Sequence, residues 1–256
     1  MRIRRILLGI VVLLATVSFV AGATVKTGDT AGGGADTNLE TGAIFTGNAV
    51  VSVAELGVSK KAREDYERGV RALRLGRASN AERDVKRALR EDTKFSDAYA
   101  LEATAELSQR DFVSAQIAAR SAIDADASNW KAYVILATSD NYLSEYADAV
   151  AALEPVQAAS AQWWQIAYQR ARAEAGLEHA HEALEWSNRA ALQAPADFAP
   201  LHLLHASALV ASAQYSQAAE ELETYLELEG TNAPQRDELQ RELGRLRELA
   251  GQKAGN

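Results

Sequence analysis

The chain has 256 residues, 48% of them hydrophobic, with four prolines and no cysteine. That is enough apolar content for one or two packed domains and too much for general disorder, and without disulfides any fold must be held by packing alone. A formal net charge of -8 excludes nucleic acid and anionic membrane surfaces as expected partners, because both are recognised through clustered Lys and Arg.

Residues 1–23 read as a separate unit. Arg2, Arg4 and Arg5 precede an apolar run from Ile6 to Val20, and Ala21-Gly22-Ala23 supplies the small residues of a signal-peptidase site, so the pattern is that of a signal peptide with Thr24 as the mature start. The alternative is a retained membrane anchor over residues 6–23, since the run approaches the ~20 residues that span a bilayer. Cleavage removes three arginines and no acid, which takes the net charge from -8 to -11. Residues 24–58 form a Gly-, Thr- and Ala-rich linker centred on Gly32-Gly33-Gly34. It ends in an apolar, β-branched segment, Val50 to Leu56, read as an extended lead-in to the first helix. The glycine triplet is no phosphate loop, because no Lys-Ser or Lys-Thr follows it.

From Ser59 onward a fixed beat appears. Ala81, Ala115, Ala149 and Ala183 are 34 residues apart, and Ala218 follows 35 later. Gly69, Ala103, Ala137, Ala171 and Ala206 keep the same spacing twelve residues ahead, and Ala88, Ala122, Val156, Ala190 and Tyr225 keep it seven residues behind. Small residues in fixed phase let two antiparallel helices approach closely and let that pair nest against the next, which is the sequence pattern of a helix-pair solenoid. Ser79 with Glu82 is read as a capping box, and Ser59, Ser96, Ser128, Ser144 and Ser160 as residues that open helices. Gly76, Gly176, Gly230 and Pro195 fall where helices are expected to stop.

With this beat the chain resembles the tetratricopeptide repeat (TPR) family over residues 62 to about 231. Tyr99 and Tyr133 stand at the family's large first-helix position, and Phe112, Leu136, Tyr146, Leu153, Tyr215 and Leu222 at other apolar positions, while the first, fourth and fifth repeats depart at the aromatic place. The resemblance implies an all-α fold, a right-handed α-solenoid of about five helix pairs over residues 59–230. Residues 231–256 hold a capping helix and tail, in which Leu239, Leu243, Leu246 and Leu249 make one apolar stripe. Arg236, Arg241, Arg245, Arg247, Glu238, Glu242 and Glu248 are expected on the opposite, solvated face.

Chemistry-bearing motifs are sparse. His179 and His181 fall in the turn of the fourth repeat, and His202 and His205 near the start of the next first helix, so the two pairs lie at opposite edges and share no metal. Neither pair has a cysteine or a fixed carboxylate in view. No nucleophile elbow, Ser-x-x-Lys set or metalloprotease pattern occurs. No catalytic residue, metal site or cofactor is assigned, and the chain is read as no enzyme.

Binding is what the repeat geometry suits. In TPR arrays the first helices line a concave groove, and here its expected residues are Tyr66, Val70, Thr104, Lys131, Thr138, Asn141, Tyr142, Tyr168, Arg172 and Ser207, accompanied by Leu73, Leu107, Val134, Leu203 and Val210. Aromatic anchors among hydroxyls and amides suit an extended or helical peptide of a protein partner. The family's carboxylate clamp is not expected, since Tyr66, Val70 and Leu101 stand where it places lysine and asparagine and only Lys131 fits. Two settings are open: a periplasmic or secreted scaffold in envelope assembly or secretion, and a membrane-tethered adaptor in a larger complex that keeps residues 6–23; an envelope enzyme is the third, lesser reading.

Overall fold

The structure, a computed structural model, describes residues 57–254. The expected signal peptide, the linker and the lead-in at 50–56 lie outside the described residues. Those that are described are all helical or turn, and they fall into two compact units, residues 57–159 and 160–254.

The first unit runs α1 (Lys60–Arg74), α2 (Ala78–Glu91), α3 (Ser96–Ser108), α4 (Phe112–Ala125), α5 (Trp130–Tyr142) and α6 (Tyr146–Leu153). The second runs α7 (Trp164–Gly176), α8 (Ala180–Ala191), α9 (Ala199–Ala211), α10 (Tyr215–Glu229) and α11 (Arg236–Ala254). Within each unit every helix packs on its successor, and first helices also touch the next first helix, α1 on α3, α3 on α5 and α7 on α9. This is the consecutive helix-pair arrangement of a TPR array.

The small-residue series explains the close packing. Ala81, Ala115, Ala149, Ala183 and Ala218 are all at most 1% exposed, and Ala103, Ala137, Ala171 and Ala206 are fully buried. At Gly69 an added Cβ would stand 3.1 Å from both Leu101 Cδ2 and Val85 Cγ2, so this place in the first repeat is tighter than a methyl group accepts without movement of its neighbours.

One turn geometry closes every pair. Gly76, Arg110, Ser144, Glu178 and Ala213, again 34, 34, 34 and 35 residues apart in the sequence, all have φ between 56° and 69°. Behind each, the amide three residues past the helix end donates to the carbonyl five residues back: Arg77 to Ala72, Asp111 to Glu106, Glu145 to Asp140, His179 to Glu174 and Gln214 to Leu209, at 2.8 to 2.9 Å. This satisfies helix-end carbonyls, at a cost of roughly 1–2 kcal/mol wherever a non-glycine residue is held in the left-handed region. Only the first repeat supplies glycine there.

Several expected caps are corrected. Ser59 does cap α1, its Oγ accepting from the Ala62 amide at 3.1 Å. Ser79 lies inside α2, which starts from Arg77 without a side-chain cap. Ser96 lies inside α3 and donates to the Ala122 carbonyl, fastening α3 to α4. Asp111 caps α4 by accepting from the Ser114 amide. Ser144 is a left-handed turn residue and Ser160 lies in a 3-10 segment, whereas Gly176 does stand where its helix stops, as the last residue of α7.

The third pair is shortened. Pro155 has no amide hydrogen for the Ala151 carbonyl, the Glu154 amide turns to that carbonyl instead, and α6 gives way to a 3-10 stretch, Glu154–Ala161. The boundary between the two units falls inside this stretch.

At the C-terminal end α11 buries Leu239, Leu243 and Leu246 against Leu222, Tyr225 and Leu226 of α10, with Leu249 half-buried beside them. Glu242 was expected on the solvated face but is 1% exposed. It sits one residue from Leu243, so a stripe that follows 3.6 residues per turn takes in both. Arg236 is also turned inward, its guanidinium donating to the Leu226 and Gly230 carbonyls at the end of α10, where a cation meets the negative end of the helix dipole.

Candidate functional site

The first helices carry the candidate binding residues, and burial sorts them. In the first unit Tyr66, Val70 and Leu73 are half-buried on α1, spaced i, i+4, i+7, and lie against the cluster of Ala62, Val85, Phe95 and Leu101. Tyr66 meets Phe95 with ring centroids 5.0 Å apart. Lys131 is half-buried, 3.9 Å from Asp97.

Thr104 and Thr138, expected as exposed hydroxyls, are interior. They are at most 1% exposed, and each donates to the carbonyl four residues back, Ala100 and Val134, at 2.7 Å. Asn141 is 4% exposed, and so is Tyr168. The first helices of the middle repeats are buried around most of their circumference, with residues 132–141 of α5 buried without interruption. A sequence period marks which positions share a face, but not how far each face is covered.

Tyr142 is half-buried and lies flat on Phe112, centroids 4.6 Å apart and planes 6° from parallel, with the Arg110 guanidinium 5.9 Å from the Phe112 ring. It therefore holds the α3–α4 turn against the end of α5. In the second unit Tyr168 forms an aromatic cluster with Trp164 and Phe198, at 6.2 and 5.2 Å. Arg172 stands 6.0 Å from the Tyr168 ring and is half-buried, as is Ser207, whose hydroxyl donates to the Leu204 carbonyl. The two adjacent tryptophans divide: Trp164 opens α7 and packs inward on Phe198 at 4.8 Å, while Trp163 is half-buried at the cap. Within its own unit, each set leaves partly open side chains on first helices: Tyr66, Val70, Leu73, Lys131 and Tyr142 in one, Arg172 and Ser207 in the other.

Sequence reasoning missed the acidic residues at the eleventh position of the repeat. Glu106, Asp140 and Glu174 occupy the same place, 34 residues apart, and are the residues whose carbonyls close the turns. Asp140 is 1% exposed; Gln116 donates to its Oδ1 at 2.6 Å and to Glu145 Oε2 at 2.6 Å, and its Oδ2 has no hydrogen-bond partner. Burial pushes Asp140 up to about 6, with Glu145 and Asp148 adding repulsion against the pull of Gln116 and Arg120. Burial likewise pushes Glu106 up to about 7, helped by Glu102, Asp111 and Glu82 and opposed by Lys86. Glu174, 4% exposed, is instead held by Arg170 Nε at 2.8 Å and His179 Nδ1 at 2.9 Å. The signal was present in the 34-residue spacing of three acids.

The histidines are also better partnered than their sequence suggested. His202 and His205 of α9 both meet Glu221 of α10, through Nδ1 at 2.7 and 3.2 Å. The fixed carboxylate that seemed missing is supplied by the neighbouring helix. No group of three or more His, Cys, Asp and Glu residues with the geometry of a metal site occurs among the described residues.

No protein-family model matches the chain, and no curated protein matches its sequence. Solved structures do match in shape. MamA from Desulfovibrio magneticus RS-1 is 20% identical with a TM-score of 0.56, covering 70% of this chain and 100% of its own. TTC0263, a thermophilic TPR protein of Thermus thermophilus, is 17% identical with a TM-score of 0.56, covering 72% and 98%. PilW, described as a widely conserved type IV pilus biogenesis factor, is 14% identical with a TM-score of 0.65, covering 75% and 89%. With the 34-residue beat, the consecutive helix pairs and the recurring left-handed turn, these likenesses establish that the chain has the tetratricopeptide repeat fold.

Proposed function

We propose that this chain is a non-catalytic, exported scaffold that binds a peptide segment of a protein partner along its first helices. The observation that carries this reading is the partly open apolar stripe Tyr66, Val70 and Leu73 on α1, the kind of i, i+4, i+7 surface that takes a helical or extended peptide. Lys131 and Tyr142, in the same unit, are the polar and aromatic positions that supplement it. Export rests on the residues 1–23 pattern, and among the described residues no helix is long and apolar enough to cross a membrane. The similarity in fold to PilW supports an envelope setting.

Glu106 and Asp140 bear on the enzymatic alternative, since raised carboxyl groups mark many active sites. Their recurrence at one repeat position, each in its own turn, favours a structural origin. The binding reading is tested by capturing partners from envelope extract with the full chain and titrating a purified one. Val70→Asp and Lys131→Ala are expected to weaken binding by on the order of 1–2 kcal/mol, while Arg83→Ala and Arg120→Ala, exposed on second helices, change it little. Loss of binding only in the two second-helix variants would move the site to the other face.

A further inference from the structure

His202 is placed between two acceptors. Its Nδ1 lies 2.7 Å from Glu221 Oε2, and its Nε2 lies 3.1 Å from the backbone carbonyl of Ala196. A neutral imidazole has one N–H and one lone pair, so it can donate to only one of these oxygens and must turn a lone pair on the other; an imidazolium donates to both. His205 differs. Its Nδ1 meets the second oxygen of the same carboxylate at 3.2 Å while its Nε2 has no hydrogen-bond partner among the described residues, so this ring has one acceptor where His202 has two. The carboxylate thus faces two rings, and of the two only His202 lies between two acceptors.

We propose that His202 is a proton-operated latch on the last helix pair: protonated, it ties α9 to Glu221 of α10 and to the α8–α9 loop at Ala196, and deprotonated it must release one of the two. The ring is reachable by solvent, with 21% of its side chain exposed. Facing it are Glu221 and, across that carboxylate, His205. From the loop comes the neutral Ala196 carbonyl, whose chain neighbour Asp197 is the acid of that loop. On α7 and α8, the other helices packed on α9, Arg170, Glu174 and His179 pair together, Arg189 pairs with Glu185, and Arg172 stands against the Tyr168 ring, with Glu182 the further acid of α8. On the far side of α10, Glu223 pairs with Arg247 of α11.

The electrostatics agree with the geometry. The Glu221 hydrogen bond, with that of Ala196, raises His202 above its ordinary 6.5 against the opposing effect of burial. Burial alone would raise Glu221, but the hydrogen bonds from His202 and His205 hold it at about 2, so the carboxylate stays charged throughout the range in which His202 titrates. A base raised in the folded state adds stability that is complete below its unfolded value and is lost as pH rises through its folded value. The latch is therefore closed in mild acid and opens toward alkaline pH.

Nitrogen-resolved NMR of the histidine rings in the full chain tests this directly, with the urea-denatured chain as reference. His202 is expected to keep both ring protons to a higher pH in the folded chain than in the denatured one, and Glu221→Gln should bring that titration down. Thermal melts add a second reading: His202→Gln keeps a donor without the charge, so its melting temperature should fall below that of the unsubstituted chain at about pH 5.5 and approach it by about pH 9. The proposal is overturned if His202 loses its second proton at or below the denatured-state pH, or if the His202→Gln deficit is the same at both pH values. If His202→Gln does not fold, the ring titration of the unsubstituted chain decides alone.

Discussion

Residues 57–159 and residues 160–254 use one repeat backbone and two electrostatic solutions. At the eleventh repeat position the first unit buries Asp140 with an unpartnered oxygen and near other carboxylates, and half-buries Glu106 among Glu82, Glu102 and Asp111. The second unit puts Glu174 there between Arg170 and His179, and one pair later gives Glu221 two imidazoles. The turns at Glu106, Asp140 and Glu174 close with a left-handed residue at the same repeat position and with the same backbone bond. Backbone geometry is thus set by the repeat, whereas the charge state that suits it is set by whichever side chains flank the turn. At Asp140 and Glu106 the first unit gains stability when the carboxyl holds a proton; at Glu221 the second gains it when the carboxylate is charged.

The largest effect should come from a feature only the second unit has, its closing helix. Leu239 is fully buried between α11 and α10, so Leu239→Ala is expected to cost about 2–5 kcal/mol by denaturant unfolding. A cost below about 1 kcal/mol would mean that α11 contributes little to that core. A smaller effect is expected at the shared small-residue position. Ala149 is 0% exposed between α5 and α6, so Ala149→Leu should cost about 1–3 kcal/mol through overpacking. Ala183, 1% exposed at the same place in the second unit, should respond alike; a cost at one alanine and none at the other would show that the two units do not share their packing rule.

Much of this architecture is written in the order of residues. Small side chains at Ala81, Ala115, Ala149, Ala183 and Ala218 report helix contacts because close approach tolerates nothing larger, and the leucine stripe of α11 reports its buried face. The left-handed turn residues were not legible, since Arg110, Ser144, Glu178 and Ala213 are not residue types that favour positive φ; their conformation is imposed by two packed helices. Glu242 and Arg236 were misplaced because charge in a sequence signals solvent, while a partly satisfied carboxylate or a guanidinium on helix-end carbonyls can lie inside. The binding surface was half legible. Periodicity placed Tyr66, Thr104, Thr138 and Tyr168 on first helices, but neighbouring helices and rings decide that Thr104, Thr138 and Tyr168 are interior and that Tyr142 lies on Phe112.

The contrast between the units is tested most directly by neutralising one carboxyl of the repeat position in each and comparing stability near pH 7. Asp140→Asn keeps an oxygen for Gln116 and removes a charge that burial disfavours; because an acid raised in the fold loses stability as pH climbs from its unfolded value of 3.8 through about 6, this variant should be more stable than the unsubstituted chain at pH 7, by up to about 2 kcal/mol, and lose its advantage below about pH 4. Glu174→Gln removes the charge that holds Arg170 and His179, and should be less stable by about 1–2 kcal/mol. Opposite signs at pH 7 are the result expected from one backbone position with two electrostatic solutions. Destabilisation of similar size in both variants would contradict it.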